Sequence, residues 1–232
     1  MSLAERLAEA QQRIAAAASA ATRNPQDIKL IVVTKNHPAQ LVLDLLDLGA
    51  RDFGENRDQE AAPKAAEVRA TSAIEHRWHF IGQLQSNKVK SVVSYADSVH
   101  SLDRQSLLES LGKATAERAH PLDVFIQLNL TDDPGRGGIH PTDLLQFAES
   151  VLAHAGLNLV GVMAVVMVDL KVDLTVATRV VLKAVSMVEM LDVLKVASTV
   201  ACSADDLVGR KGQYWASQRA VRSVAKMVVS WV

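Results

Sequence analysis

Lys29-Leu30-Ile31-Val32-Val33-Thr34-Lys35-Asn36-His37-Pro38 is the stretch whose reading decides the fold. Its apolar, β-branched centre is bounded by charge on one side and by Asn-His-Pro on the other, which predicts a strand buried on both faces. Pro38, with a φ suited to a first helical turn, opens a helix in which Leu41, Leu45 and Leu48 recur at helical spacing, and Gly49 supplies a left-handed stop. A strand that runs straight into a helix leaves Lys35 at the strand's C-terminal lip. Ligands of α/β folds bind at that lip, and an amine partly stripped of water there is more readily neutral and can attack a carbonyl. A solvated strand-end lysine satisfies the same letters.

Working outward, the chain alternates short apolar runs with longer helical stretches, the pattern of a parallel sheet. Strands are expected at 51–53, continuing into Gly54-Glu55-Asn56, and at 77–81, 97–100, 122–130 and 157–165. Helices are expected between them, with Pro63 in an early turn of the one after Asn56, one over 84–95, one over 103–119 and one over 141–154. Weaker signals place a helix over 174–190, a strand over 193–197 and a last strand near 221–229. The sum is a single (β/α)8 TIM-type barrel over residues 1–232, with an extra N-terminal helix in residues 1–27 packed on it and Ser2 as its N-cap. An open doubly wound sheet is disfavoured because no Gly-rich dinucleotide fingerprint follows the first strand.

The 232 residues are 49% hydrophobic, enough for a sizeable core. A net charge of -1 gives no electrostatic case for nucleic acid or an anionic membrane surface. The single cysteine, Cys202, excludes an internal disulfide framework and points to a reducing cytoplasm. The alanine-rich start carries Glu5, Arg6, Glu9 and Arg13, so it lacks the unbroken apolar core of a signal peptide or membrane span.

In a barrel, polar residues at successive strand ends converge on one mouth. These are Lys35, Asn56, His79 with Gly82 and Gln83, Ser101 with Asp103, Asn129 and Met163. Asn56 and Asn129 suit either a polar ring substituent or plain turn formation, and His79 either a ligand or the core. Gly82 to Lys88 opens a helix with polar groups and exposed N–H donors, fit for an anion or for ordinary capping. Thr199, Ser203 and the small residues around them precede another helix, a moderate phosphate-cradle signal, and Arg222 near the last strand could pair with a phosphate. After Gly161 there is no Ile, Pro, Asn, His or Phe, an unusual composition for a segment that needs turns.

Val32-Val33-Thr34-Lys35, Asp52-Phe53-Gly54-Glu55-Asn56 with Gln59-Glu60, Trp78-His79-Phe80-Ile81-Gly82-Gln83-Leu84-Gln85-Ser86-Asn87-Lys88, His100-Ser101-Leu102-Asp103 and Gly161-Val162-Met163-Ala164 together resemble the pyridoxal phosphate homeostasis proteins, the YggS/PROSC family. The resemblance runs in order from about Leu30 to Ala164 and implies a barrel like the N-terminal domain of alanine racemase. It implies pyridoxal 5'-phosphate held as a Schiff base on Lys35, with Asn56 and Met163 flanking the ring. It also implies a cofactor carrier or buffer without an established catalytic reaction, a monomer whose further partners are cofactor-free, pyridoxal-phosphate-dependent enzymes. The alternative on the same barrel is a fold-type III enzyme such as an amino-acid racemase or decarboxylase. The family's phosphate loop, Ser-Met-Gly-Met-Ser-x-Asp, is matched only at Ser203, Asp205 and loosely Thr199, and Val224 follows Val221-Arg222 where the family carries a glycine.

Overall fold

The computed structural model describes residues 1–130 and 137–164, together with the backbone of residues 228–230. The expected last two helical units and the expected strand over 193–197 lie outside the described residues.

The chain opens with helix α1 (Leu3–Ala20), started by a capping box in which the Ser2 hydroxyl accepts from the Glu5 amide and the Glu5 carboxylate accepts from the Ser2 amide. Strand and helix then alternate: β1 (Leu30–Val33), α2 (Ala39–Asp47), β2 (Asp52–Glu55), α3 (Asp58–Thr71), β3 (Arg77–Phe80), α4 (Val89–Tyr95), β4 (Ser98–Leu102), α5 (Gln105–Thr115), β5 (Leu122–Leu128), α6 (Leu144–Leu152) and β6 (Leu157–Ala164). A final strand, β7 (Val228–Ser230), pairs with β1. Among the described residues every strand pairing is parallel, and the spatial order is β6-β5-β4-β3-β2-β1-β7. The chain's last strand therefore lies beside its first, as a barrel's winding requires.

Each strand shows why it is buried. β5 alternates fully and partly buried residues: Leu122, Val124, Ile126 and Leu128 pack under the helices, while Asp123, Phe125 and Gln127 face the other side. β4 is buried along its whole length, Ser98 to Leu102; Ser98 Oγ meets His79 and His100, whereas His100 Nδ1 and Ser101 Oγ are buried without a hydrogen-bond partner among the described residues.

Two local expectations differ from the structure. The buried stripe of α2 is Ala39, Val42, Leu45 and Leu46, whereas Leu48 is 40% exposed. The helix begins one residue past Pro38, and this phase turns Val42 rather than Leu41 to the sheet. Gly49 does take the left-handed stop, at φ 91°. The stretch 84–95 is not one helix: a single tight turn at Ser86–Lys88 precedes the short α4. Pro63 sits in an early turn of α3, as expected, and leaves the Gln59 carbonyl without the i+4 amide that a residue with an N–H would give it.

Candidate active site at the C-terminal rim of the sheet

Parallel pairing brings the strand ends to one rim. Val33 is level with Gly54, Glu55 with Phe80, and Gln127 with Met163. A Cβ built on Gly54 would touch Ile31, Val33 and Ile81, all at 3.3 Å, so these residues share the inner face of the sheet. Thr34 turns the other way, and its hydroxyl donates to buried Glu55 Oε1 at 2.7 Å. Lys35 follows Thr34, two residues past the end of β1, on this rim of the sheet.

Lys35 and Asn36 form the centre of a reverse turn closed by the His37 amide donating to the Thr34 carbonyl at 3.2 Å. Asn36 has φ 62°, a left-handed conformation that asparagine tolerates better than other non-glycine residues. Lys35 is half-buried, and Asn36 is exposed.

Asn56, one residue beyond β2, has its Oδ1 buried with no hydrogen-bond partner among the described residues. Its backbone is pressed by Gly82: a Cβ there would stand 2.1 Å from the Asn56 carbonyl oxygen. Only glycine lets the end of β3 come that close to Asn56. Met163 is 8% exposed and lies on β6 beside Gln127, whose side chain donates to the Gly137 carbonyl at 2.8 Å. Around the same rim, a Cβ on Gly137 would lie 3.1 Å from both Asp103 Oδ2 and Gln83 Nε2. Of the expected mouth residues, Lys35, Asn56, Gly82, Gln83, Asp103 and Met163 are thus placed at one end of the sheet, while Ser101 lies within β4. Thr199, Ser203 and Arg222 lie outside the described residues.

His79 sits one layer lower, level with Gly54 and beneath Ile81. Both of its ring nitrogens are engaged: Nε2 lies 2.8 Å from Asp52 Oδ1, and Nδ1 lies 2.6 Å from Ser98 Oγ and 3.0 Å from His100 Nε2. His100 in turn stacks on Phe125 with centroids 4.2 Å apart. Burial, and secondarily the neighbouring His79, push His100 down to about 3, so its ring is neutral. Burial raises the Asp52 carboxyl, but hydrogen bonds from His79 and Lys29 outweigh it and hold the group below its ordinary range. Sequence reasoning singled out His79 but missed this network; its only trace was the presence of Asp52 and His100 at inward positions of neighbouring strands.

It also missed a cluster behind the rim. Lys64 is buried in the apolar stripe of α3 formed by Ala61, Ala65 and Val68. Its ammonium donates to Glu55 Oε1 at 2.7 Å and to the Thr34 carbonyl at 2.8 Å. Glu60, one helical turn earlier, accepts from the Asn36 amide at 3.2 Å. Tyr95 is buried, and burial together with the nearby carboxylates of Asp58 and Glu55 pushes its hydroxyl up. Both carboxylates lie on the outer, helix-covered side of the sheet.

Among the described residues no group of three or more His, Cys, Asp or Glu is arranged to hold a metal ion, and no helix is long and apolar enough to cross a membrane.

The alanine racemase N-terminal domain family matches residues 6–204. The pyridoxal phosphate homeostasis protein of Escherichia coli strain K12 is 36% identical over 163 residues, covering 70% of each chain. That of Pseudomonas aeruginosa is 38% identical over the same span and coverage. The chain belongs to the pyridoxal phosphate homeostasis protein family. Among solved structures, this family member resembles an unknown protein from Bifidobacterium adolescentis with a TM-score of 0.72 and 28% identity, covering 84% of this chain and 79% of that one. PipY of Synechococcus elongatus with PLP bound superposes with a TM-score of 0.63 at 30% identity, covering 82% of each chain. Alanine racemase from E. faecalis, at 18% identity and TM-score 0.55, covers 78% of this chain and 48% of its own length, and shares the fold. The expected alanine racemase N-terminal-like fold is borne out.

Proposed function

We propose that this chain binds pyridoxal 5'-phosphate through Lys35 and serves as a carrier or buffer of that cofactor. The observation that carries the reading is Lys35 at the centre of a reverse turn past the end of β1, on the rim where neighbouring β2 ends in Asn56, whose side-chain oxygen is buried without a partner among the described residues. Relatives named for pyridoxal phosphate homeostasis, and PipY with PLP bound, support the same ligand.

Pyridoxal phosphate, when bound, supplies an aldehyde that condenses reversibly with an amine. Lys35 presents that amine. Asn56, with its unpartnered Oδ1, would offer a polar contact to the ring, Gly82 lets the β3 end approach, and Met163 would give an apolar wall. His79, with both ring nitrogens occupied, forms the floor beneath this layer. Ser203, Thr199 and Arg222 are proposed for the phosphate on sequence grounds. Release to cofactor-free enzymes and a monomeric state complete the carrier reading.

Racemisation by two bases needs an acid opposite the lysine. Tyr95 cannot serve from where it stands, among the carboxylates on the outer side of the sheet, and Tyr214 lies outside the described residues. Titrating the purified protein with pyridoxal phosphate while following visible absorbance tests the binding. A saturable new band without alanine racemisation or amino-acid decarboxylation supports the carrier. Turnover at enzyme-like rates contradicts it, as does failure to bind.

A further inference from the structure

The turn that carries Lys35 is anchored from behind the sheet, by groups that do not touch the mouth. On its near side Lys64 donates to the Thr34 carbonyl, the peptide just before Lys35. On its far side Glu60 accepts from the Asn36 amide, the peptide just after it. Residues 60 and 64 are one turn apart on α3, so a single helix face reaches both peptides that flank the lysine. Glu55 closes the arrangement: its Oε1 takes both the Lys64 ammonium and the Thr34 hydroxyl, tying α3, β2 and the end of β1 together.

We propose that α3 positions the Lys35 amine, with Lys64 and Glu60 as positioning residues and Glu55 as the lock between them and the sheet. A lysine in the apolar stripe of a helix is an unusual choice. It is tolerated because all the direction of its charge is used, on a carboxylate and on one carbonyl. The same bonds keep Lys64 from acting as a rival amine close to the site. At the other end, the left-handed Asn36 donates its amide to Glu60 Oε2, while Glu60 Oε1 pairs with Arg57 at 3.4 Å. Relaxing either contact lets the turn, and the amine with it, drift from the rim, where a small misplacement is costly to a covalent bond.

This inference rests on the reading of Lys35 as the cofactor amine, so the test separates the two. Lys64→Met alone would strand a buried carboxylate, so it is combined with Glu55→Gln, which still offers an oxygen to the Thr34 hydroxyl. Glu60→Ala is the second variant. Its side chain is 33% exposed, and its loss leaves the core intact. Two readouts use the cofactor-free protein: amide hydrogen exchange at Asn36 and His37, and the rate at which formaldehyde and cyanoborohydride methylate Lys35 relative to exposed Lys90, mapped by peptide mass. A third is pyridoxal phosphate affinity.

In Glu60→Ala, exchange at Asn36 should accelerate about tenfold, the methylation ratio should change by about threefold or more, and affinity should fall about tenfold. The double variant should move the methylation ratio and the affinity likewise. Exchange and methylation unchanged within about twofold would overturn the proposal, as would a loss confined to global stability. Trapping of pyridoxal phosphate on a different lysine in the unaltered protein would defeat the cofactor reading instead, and the exchange and methylation results would still decide whether α3 positions Lys35.

Discussion

Gly82 and Asn56 meet backbone to backbone, so closely that a methyl group on Gly82 would stand 2.1 Å from the Asn56 carbonyl oxygen and 2.7 Å from its carbonyl carbon and Cα. A contact of that kind cannot be relieved by rotating a side chain. Gly82→Ala is expected to push the end of β2 and Asn56 outward, lowering stability by about 1 to 3 kcal/mol and weakening pyridoxal phosphate binding. Gly161→Ala is the control, because its nearest neighbours are ring atoms of Phe125 at 3.8 Å and 3.9 Å, an ordinary contact. Denaturant melts and absorbance titrations of both variants check this; equal behaviour of the two would remove the close approach as a determinant of the site.

The histidine network predicts an acid-sensitive fold. His100 titrates near 6.5 when unfolded and near 3 when folded, so the folded state disfavours its proton. Its contribution is fully present above 6.5 and is lost progressively as the pH falls toward 3. Asp52, also lowered, adds a loss that begins only near its ordinary value of 3.8 and continues below it. Between about pH 6.5 and about pH 5 the His100 part should amount to something on the order of 2 kcal/mol. Urea unfolding across this range should show it, and His100→Gln should flatten the slope; an equally steep slope in that variant would assign the acid sensitivity elsewhere.

Retention of the cofactor is expected to depend on its phosphate, because charge-assisted bonds outlast a reversible covalent one. Ser203→Ala and Arg222→Ala should each weaken pyridoxal phosphate by roughly ten- to a hundredfold and pyridoxal far less, since pyridoxal keeps the aldehyde but lacks the phosphate. Parallel titrations with both ligands measure the difference. Equal weakening of the two would mean that these residues act on the ring or the fold.

Much of the frame was legible because it follows from period and punctuation. The alternation in 122–128 and the left-handed stop at Gly49 translate directly into β5 and the end of α2. The tight turn at Ser86–Lys88 was not legible, since buried Leu84 and Val89 fit a continuous helix equally well. Least legible were the charges that do not behave as surface: Glu55, Asp58 and Lys64 are all buried, and nothing local distinguishes them from solvated residues. Only the crossing of α3 over the ends of β1 and β2 reveals what Lys64 and Glu55 hold. His79 shows the intermediate case, an inward position that was legible without the partners that occupy its ring nitrogens.

Borohydride reduction of the loaded protein followed by peptide mass mapping identifies the amine that holds pyridoxal phosphate. A pyridoxyl group is expected on Lys35, and it should disappear, together with the visible band, in a folded Lys35→Ala variant. A pyridoxyl group on another lysine, or a visible band that persists after Lys35→Ala, would contradict Lys35 as that amine.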